Sequence, residues 1–484
     1  MSSGIGNPSA RRRRSGYAAL LERSGGLASI RHGSGKLCSW VILLGILLVI
    51  STPPHLFAQD PTDPLTLSRA VSLALETHPS VGQARAMEDM AGARVRQARS
   101  AWLPALAVQG SLQRHQEPMV VAPLHGFDPM DPPAFHRNLV QGALSAGYTL
   151  YDGGARSARI RQAEAGERAA EAGGQDAGAA VVTQVSAAYL GILTGQELLK
   201  AVLGQREALE AESDRVRLFL EEGKAARVDL LRVEAALQRA KAEEITARSD
   251  LELARGRLAR LTGLAPGEIR QVELLPVSLG AREQATLETA TAAALEANPE
   301  LDRLRQELSA VRAGVRESTA AWFPTVEATG RYANFGTLDG GHVQEWQGAL
   351  QISYPLFTGG ARSGERERAR AEARRVAESV RLAEMEVEDQ VEQALAQVRE
   401  ARALREALEV AVRQSAEVAR IEALALAAGA GVQTDFLRAQ AELFQARASL
   451  AQARHGEILA GIQLARIRGE LSLDWIQENM EMEP

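Results

Sequence analysis

Along most of the chain, apolar residues return every three or four positions, and four short stretches replace that rhythm with strict alternation. The stretches at about 65–103 and 285–323 predict helices that stop at Trp102-Leu103-Pro104 and Trp322-Phe323-Pro324, because proline disfavours α geometry in the residue before it. Alternation follows. Leu106, Val108, Gly110 and Leu112 oppose Gln109, Ser111 and Gln113, and Val326, Ala328, Gly330 and Tyr332 oppose Thr325, Glu327, Thr329 and Arg331. Return strands place Leu144, Ala146, Tyr148 and Leu150 against Ser145, Gly147 and Thr149, and Leu350, Ile352, Tyr354 and Leu356 against Gln351 and Ser353. The pattern predicts strands at about 104–118, 139–152, 324–336 and 346–358. Apolar-out, polar-in strands fit a water-filled barrel, and a half-buried soluble sheet shows the same alternation.

After Gly153-Gly154 a helical pattern runs to about Leu220 without a proline, roughly 100 Å at 1.5 Å per residue. Val185, Ala188, Ile192, Leu199, Val202, Leu209, Val216 and Leu220 recur at the coiled-coil period, as do Val391, Ala394, Val398, Ala401, Leu408, Val412 and Ala419. Glycine then stops each helix, at Gly223 or Gly429–Gly431, and an aspartate N-cap, Asp229 or Asp435, is expected to start a return helix.

These elements occur twice. Leu75-Glu-Thr-His-Pro79 returns as Leu295-Glu-Ala-Asn-Pro299, and Ala101-Trp-Leu-Pro104 as Ala321-Trp-Phe-Pro324, both 220 residues on. Tyr151-Asp-Gly-Gly154 returns as Phe357-Thr-Gly-Gly360, the segment at Asp229 returns at Asp435, and Leu258-Ala-Arg-Leu-Thr-Gly263 returns as Leu464-Ala-Arg-Ile-Arg-Gly469, all 206 residues on. The first copy therefore carries 14 extra residues between its Trp-x-Pro and Gly-Gly elements. The organisation reads as a signal segment 1–58, a first repeat 59–270, a linker 271–284, a second repeat 285–470 and a tail 471–484.

Composition narrows the class. Aromatics are only 4% of 484 residues and hydrophobics 45%, which favours long helices over a β-rich globule. The apolar run Val41–Ile50 is too short to span a bilayer as a helix; it follows basic residues and reads as a secretory signal cleaved near Ala58. Cys38 would leave with it, so no disulfide is expected. Without residues 1–58 the charge falls from −6 to −12 (48 basic against 60 acidic), which argues against nucleic acid or any polyanion as partner of the body. No later stretch is expected to be apolar enough for a transmembrane helix, so membrane crossing would fall to the strands.

Four strands cannot close a barrel, and an open edge in lipid leaves backbone groups unpaired at several kcal/mol each. A homo-oligomer is therefore required, and three chains would supply twelve strands. The order helix, Trp-x-Pro, hairpin, aromatic-x-Gly-Gly, long helix and Gly-x5-Asp-hydrophobic-Leu, all duplicated, resembles the TolC family of outer-membrane efflux and secretion channels over roughly residues 65–470. The resemblance implies a mainly α fold with a membrane β-barrel contribution: a homotrimer with a twelve-stranded barrel in outer-membrane lipid and an α-helical tunnel across the periplasm. It also implies two partners, a periplasmic adaptor (membrane fusion) protein and an inner-membrane transporter. The function so implied is a passive exit duct of a tripartite efflux or type I secretion system. A periplasmic coiled-coil scaffold or chaperone and an independent diffusion porin are the competing readings; the first leaves the four alternating segments without a purpose, and the second conflicts with a mostly helical chain.

By the same resemblance, the helical tips that dock the adaptor map onto Gly223, Lys224, Ala225, Gly429, Ala430 and Gly431. A family aspartate ring at the periplasmic entrance matches Asp435, which acts either as a pore-lining gate or as a cap alone. The position three residues on is Arg438 rather than an acid, so an Arg438–Asp435 salt bridge is an alternative means of holding the tip. Trp102, Tyr148, Tyr151, Trp322, Tyr354 and Phe357 suit the interfacial girdle of a barrel, and core packing at the helix–strand junction explains the tryptophans equally well.

The chain carries no phosphate loop, His-Glu-x2-His or Gly-x-Ser-x-Gly motif, so neither an enzyme nor a cofactor is expected. Glu384, Glu386, Glu388 and Asp389 read as a solvated helix face. His115, Met119, His125, Met130 and His136 lie among prolines and read as an exposed loop at the barrel mouth rather than as metal ligands.

Overall fold

The computed structural model describes residues 64–125, 129–130, 132–280 and 285–482; the expected signal segment, with Cys38, lies outside them. The first copy opens with α1 (Leu67–Thr77), whose N-cap Thr66 accepts a hydrogen bond from the Arg69 amide, and α2 (Pro79–Ser100), which starts on a proline. β1 (Ala105–Val120) and β2 (Phe135–Tyr151) form the first hairpin. α3 (Ala155–Glu221) and α4 (Arg227–Thr262) form the first helical hairpin. The short α5 (Pro266–Gln271) and β3 (Val277–Leu279) connect the copies. The second copy repeats the order with α6 (Leu287–Ala297), α7 (Pro299–Ala320), β4 (Thr325–Thr337), β5 (His342–Ser353), α8 (Ala361–Ala427) and α9 (Gln433–Ile467). The chain closes with α10 (Leu473–Asn479) and β6 (Met480–Met482). α3 and α8 each have 67 residues, α2 and α7 each 22, so both offsets of the duplication are built into the fold.

The four long strands form one antiparallel sheet in the order β1-β2-β4-β5. The register aligns Val108 with Leu144, Leu144 with Tyr332, and Tyr332 with Trp346, one apolar row across the whole sheet. The adjacent row on the opposite face runs Gln109, Ala143, Ala333 and Glu345, and the one after it Ala107, Ser145, Arg331 and Gln347. Val108 and Trp346 are about four-fifths exposed (82% and 80%), so the apolar face has no cover within the chain. The outer edges of β1 and β5 pair with no strand among the described residues.

Three strands differ in extent from expectation. β5 runs 342–353 rather than 346–358. Pro355 offers no ladder N–H, so the strand stops short of it, while Gly340 and Gly341, both left-handed (φ 107° and 83°), make the hairpin turn tight enough for pairing to begin at His342. β2 begins at Phe135 and β1 reaches Val120, with a register shift between Arg114 and Met119 that accommodates Pro118.

Each strand leads into or out of one helix, and the helices below keep the order of the strands: α2 packs on α3, α3 on α7, and α7 on α8. Farther from the sheet the return helices take over, with α4 on α3, α3 on α9 and α9 on α8. Along the upper part of α3 the buried positions are Ala158, Ala165, Ala172 and Ala179, a seven-residue repeat of small side chains that permits close helix packing. Val185, Ala188, Ile192, Val202, Leu209 and Val216 continue the seam as expected, with Leu199 and Leu220 half-buried.

Part of α3 is, against expectation, long and apolar enough to cross a bilayer by composition. Its side chains are otherwise engaged: Val181, Val182, Val185, Tyr189, Ile192 and Leu193 form the centre of the main core. The same core absorbs residues 471–482 of the tail, whose Trp475 and Ile476 are buried and whose β6 pairs antiparallel with β3. Tyr189 ties the region together. Its hydroxyl lies 2.7 Å from the carbonyl oxygens of Leu65 and Leu275, and burial pushes its pKa up.

Candidate functional site

Three regions have the placement a transport site requires: the tips of the two helical hairpins, the junction between sheet and helices, and the polar face of the sheet. At the first tip α3 ends at Glu221, Gly223 turns left-handed (φ 71°), and the amides of Lys224 and Ala225 both donate to the Phe219 carbonyl. The second tip repeats this: Gly429 has φ 74°, and the amides of Ala430 and Gly431 both donate to the Ala425 carbonyl. A Cβ on Gly431 would lie 2.7 Å from the Leu426 nitrogen, so this position has no room for a side chain. Lys224 projects into solvent and pairs with Glu222 at 2.7 Å.

The aspartates do not cap. Ala226 and Val432 occupy the N-cap positions without any side-chain hydrogen bond, and Asp229 and Asp435 stand in the first turn instead. There their charge is favoured by the amide end of the helix dipole. Asp229 pairs with Arg232 at 3.6 Å. Among the described residues no ion pair joins Asp435 to Arg438; both side chains are exposed. Arg215 links the two hairpins near the tips: it pairs with Glu212 at 2.7 Å, lies over the Phe219 ring at 5.3 Å and approaches the Leu426 carbonyl at 3.5 Å. The aliphatic flanks of the tips are not evident from the helical periodicity. Leu218 and Leu424, which are equivalent by the 206-residue offset, are more than half exposed, as are Leu231 and Val432.

At the junction, Trp102 and Trp322 take part in a duplicated cation–π arrangement. The guanidinium of Arg156 lies 4.2 Å from the Trp102 centroid and 5.9 Å from that of Tyr148, pairs with Asp152 at 3.1 Å and reaches the Ala101 and Leu150 carbonyls. Arg362 repeats the geometry over Trp322 at 4.8 Å, reaching the Ala321 and Leu356 carbonyls, and Arg366 stacks on the same ring at 5.1 Å. Thr358 replaces Asp152 in the second copy, and Arg362 is correspondingly the more exposed arginine. Gly153 permits the first junction: it is left-handed (φ 68°), and a Cβ there would lie 2.6 Å from the Ala320 carbonyl oxygen. Tyr151, Tyr354 and Phe357 are exposed at the same level, with Tyr354 and Phe357 just beyond β5.

Carboxylates on the helices are matched locally rather than gathered. Glu365 and Glu372 have their pKa values lowered by hydrogen bonds from Arg368 and Arg375, one turn on. Glu384 meets Arg305 at 3.0 Å, while Glu386, Glu388 and Asp389 are exposed. Against expectation His115 and Met119 lie in β1 and His136 in β2, because the first hairpin pairs farther out; His136 faces Asp339 at 2.9 Å, and His125, in the loop, faces Glu345 at 3.4 Å, so both reach the second hairpin. Among the described residues no three His, Cys, Asp or Glu side chains converge as metal ligands.

An open sheet with one uncovered apolar face, continued by helices about 100 Å long and duplicated within one chain, has a counterpart among known proteins. The family described as outer membrane efflux protein matches residues 70–264 and 291–470. The chain belongs to that family. It is 28% identical over 398 residues to CyaE of Bordetella pertussis, covering 80% of each chain. It is 27% identical over 322 residues to the alkaline protease secretion protein AprF of Pseudomonas aeruginosa, covering 62% of this chain and 64% of AprF. The chain thus spans just under two thirds of AprF. Its fold is that of VceC from Vibrio cholerae, with a TM-score of 0.72 at 19% identity over 83% of this chain and 96% of VceC. CusC gives the same TM-score, 0.72, at 16% identity, covering 86% of this chain and 95% of CusC. As a member of the family, the protein is an outer-membrane transport protein.

Proposed function

We propose that three copies of this chain assemble into one exit duct that carries substrate passively across the periplasm and outer membrane in a tripartite efflux or type I secretion system. The observation that carries this reading is the unsealed sheet: four antiparallel strands, apolar on one face, polar on the other and unpaired at β1 and β5. β5 of one protomer runs antiparallel to β1 of the next, so three sheets close into twelve strands with no edge left in lipid. Gln109, Ser111, Ser145, Arg331, Glu345 and Gln347 would then line water.

Energy would come from an inner-membrane transporter acting through a periplasmic adaptor. The exposed, glycine-turned tips at Gly223-Lys224-Ala225 and Gly429-Ala430-Gly431, with Leu218 and Leu424 beside them, are the surface offered to that adaptor. Small residues allow close backbone approach, and the aliphatic flanks provide apolar area to bury. Asp435, exposed at its tip and repeated by a three-fold axis, is the proposed cation-favouring gate, with Arg438 beside it. The similarity to a secretion protein and membership of an efflux family support polypeptide and small-molecule cargo alike.

Planar-bilayer recording tests the proposal. Purified protein is expected to insert as a discrete conducting unit, and cysteine pairs placed on the outer edges of β1 and β5 are expected to cross-link neighbouring chains. A protein that neither conducts nor cross-links through those edges would overturn it.

A further inference from the structure

The net charge of the chain conceals a strongly uneven distribution. Consider the three helical turns next to the sheet on each of the four junction helices: residues 90–100 of α2, 155–165 of α3, 310–320 of α7 and 361–371 of α8. They hold twelve arginines, four glutamates and no lysine, a net charge of +8 in a body of net −12. At the far end, windows of the same length on α3, α4, α8 and α9 (211–221, 227–237, 417–427 and 433–443) hold six arginines and nine carboxylates, a net charge of −3. The positive charge is therefore a collar beneath the sheet rather than a property of the helices as such.

Little of it is neutralised internally. Arg99 pairs with Glu164, Arg156 with Asp152, Arg159 with Glu317 and Arg368 with Glu365. Among the described residues the other eight, Arg94, Arg96, Arg161, Arg312, Arg316, Arg362, Arg366 and Arg370, have no carboxylate partner within 4.0 Å. Arg362 and Arg366 are half-buried on Trp322, and the Arg366 Nε has no hydrogen-bond acceptor. The remaining six are exposed.

We propose that this collar binds the anionic phospholipid headgroups of the periplasmic leaflet of the outer membrane; the proposal rests on the barrel reading above. The collar starts at Trp102 and Trp322, which stand between the ends of α2 and α7 and the starts of β1 and β4, and at 1.5 Å per residue it spans roughly 16 Å. The headgroup layer is about 5–7 Å thick and the Debye length is about 8 Å, so its first turns lie within range of an anionic surface. Membrane-adjacent arginines are attracted to such a surface, and the attraction falls off within a Debye length. The alternative, an arginine-lined bore for acidic cargo, would leave eight unmatched charges per chain confined whenever cargo is absent, whereas headgroups are a standing counter-charge.

The test uses the purified channel in neutral detergent, titrated with brominated phosphatidylglycerol or brominated phosphatidylcholine. Quenching of Trp102 and Trp322 is isolated by difference from a W102F/W322F variant. Half-quenching is expected at a concentration at least about tenfold lower for phosphatidylglycerol, falling to parity in R94Q/R96Q/R312Q/R316Q and in high salt, with conductance retained. Equal quenching by the two lipids in a conducting wild-type channel overturns the collar and leaves the duct standing. So does a quadruple variant that keeps the lipid preference. A variant whose ion selectivity shifts toward cations, in a channel without lipid preference, assigns the arginines to the bore and also overturns it.

Discussion

The guanidinium of Arg156 stands 4.2 Å above the ring of Trp102, joining the top of one 67-residue helix to the end of the helix that precedes the sheet. Arg156 is 4% exposed, and Asp152, its partner, is itself largely buried. Arg156→Leu leaves that carboxylate without its counter-charge and is expected to cost about 3–5 kcal/mol. Arg156→Lys should rescue only part of this, since ammonium reproduces neither the stacking nor the fork to Ala101 and Leu150. Arg362→Leu, where Thr358 replaces the acid, is expected to cost less. Thermal denaturation of the three variants in one detergent checks the order; an Arg362 effect as large as that of Arg156 would contradict it.

Tyr189 makes a pH-dependent contribution. Its folded-state pKa is raised by burial above the ordinary tyrosine value of about 10, so the fold favours the protonated hydroxyl. That contribution is complete below about pH 10 and is lost as pH rises beyond it. Tyr189→Phe is expected to cost about 1–3 kcal/mol at neutral pH by removing the one hydroxyl proton shared between the Leu65 and Leu275 carbonyls, of which Leu65 keeps only the Leu275 amide as donor. It should also flatten the alkaline decline, which denaturant midpoints measured across that range would show.

The tips should tolerate little added bulk. Gly431→Val places atoms where the Leu426 nitrogen already lies 2.7 Å from an ideal Cβ, and is expected to abolish export while leaving assembly intact. Gly429→Ala forces alanine into a left-handed turn and should destabilise the tip by about 1 kcal/mol. An export assay paired with adaptor cross-linking separates the two effects; normal export by Gly431→Val would remove the tip from the docking role.

Asp435→Ala is expected to reduce cation preference and change conductance in planar bilayers, because three converging carboxylates favour cations. Identical conductance and ion preference in the variant would reduce Asp435 to a first-turn acid that serves only its helix.

Much of this architecture was legible because repetition amplifies weak signals. Pro79 and Pro299, Gly153 and Gly359, and Gly223 and Gly429 recur at two fixed offsets, so each copy vouches for the other. Less legible were features that depend on tertiary proximity. Arg156 and Trp102 are 54 residues apart, and nothing in local periodicity joins them, although Gly-Gly-Ala-Arg recurs after both hairpins. The tail resisted reading because its partner, β3, is a three-residue strand in the linker. The apolar stretch of α3 resembles a membrane span in composition because a helix buried on most sides loses its polar face. Asp229 and Asp435 read as caps in the sequence because aspartate favours both the N-cap and the first turn; the backbone geometry of Ala226 and Val432 decides between them.

In the proposed duct, one chain holds a third of a barrel wall. The most direct measurement is the mass of the detergent-extracted particle by native mass spectrometry. Three chains per particle, held together through the edges of β1 and β5, is the expected result; a monodisperse single chain that stays soluble without detergent would contradict it.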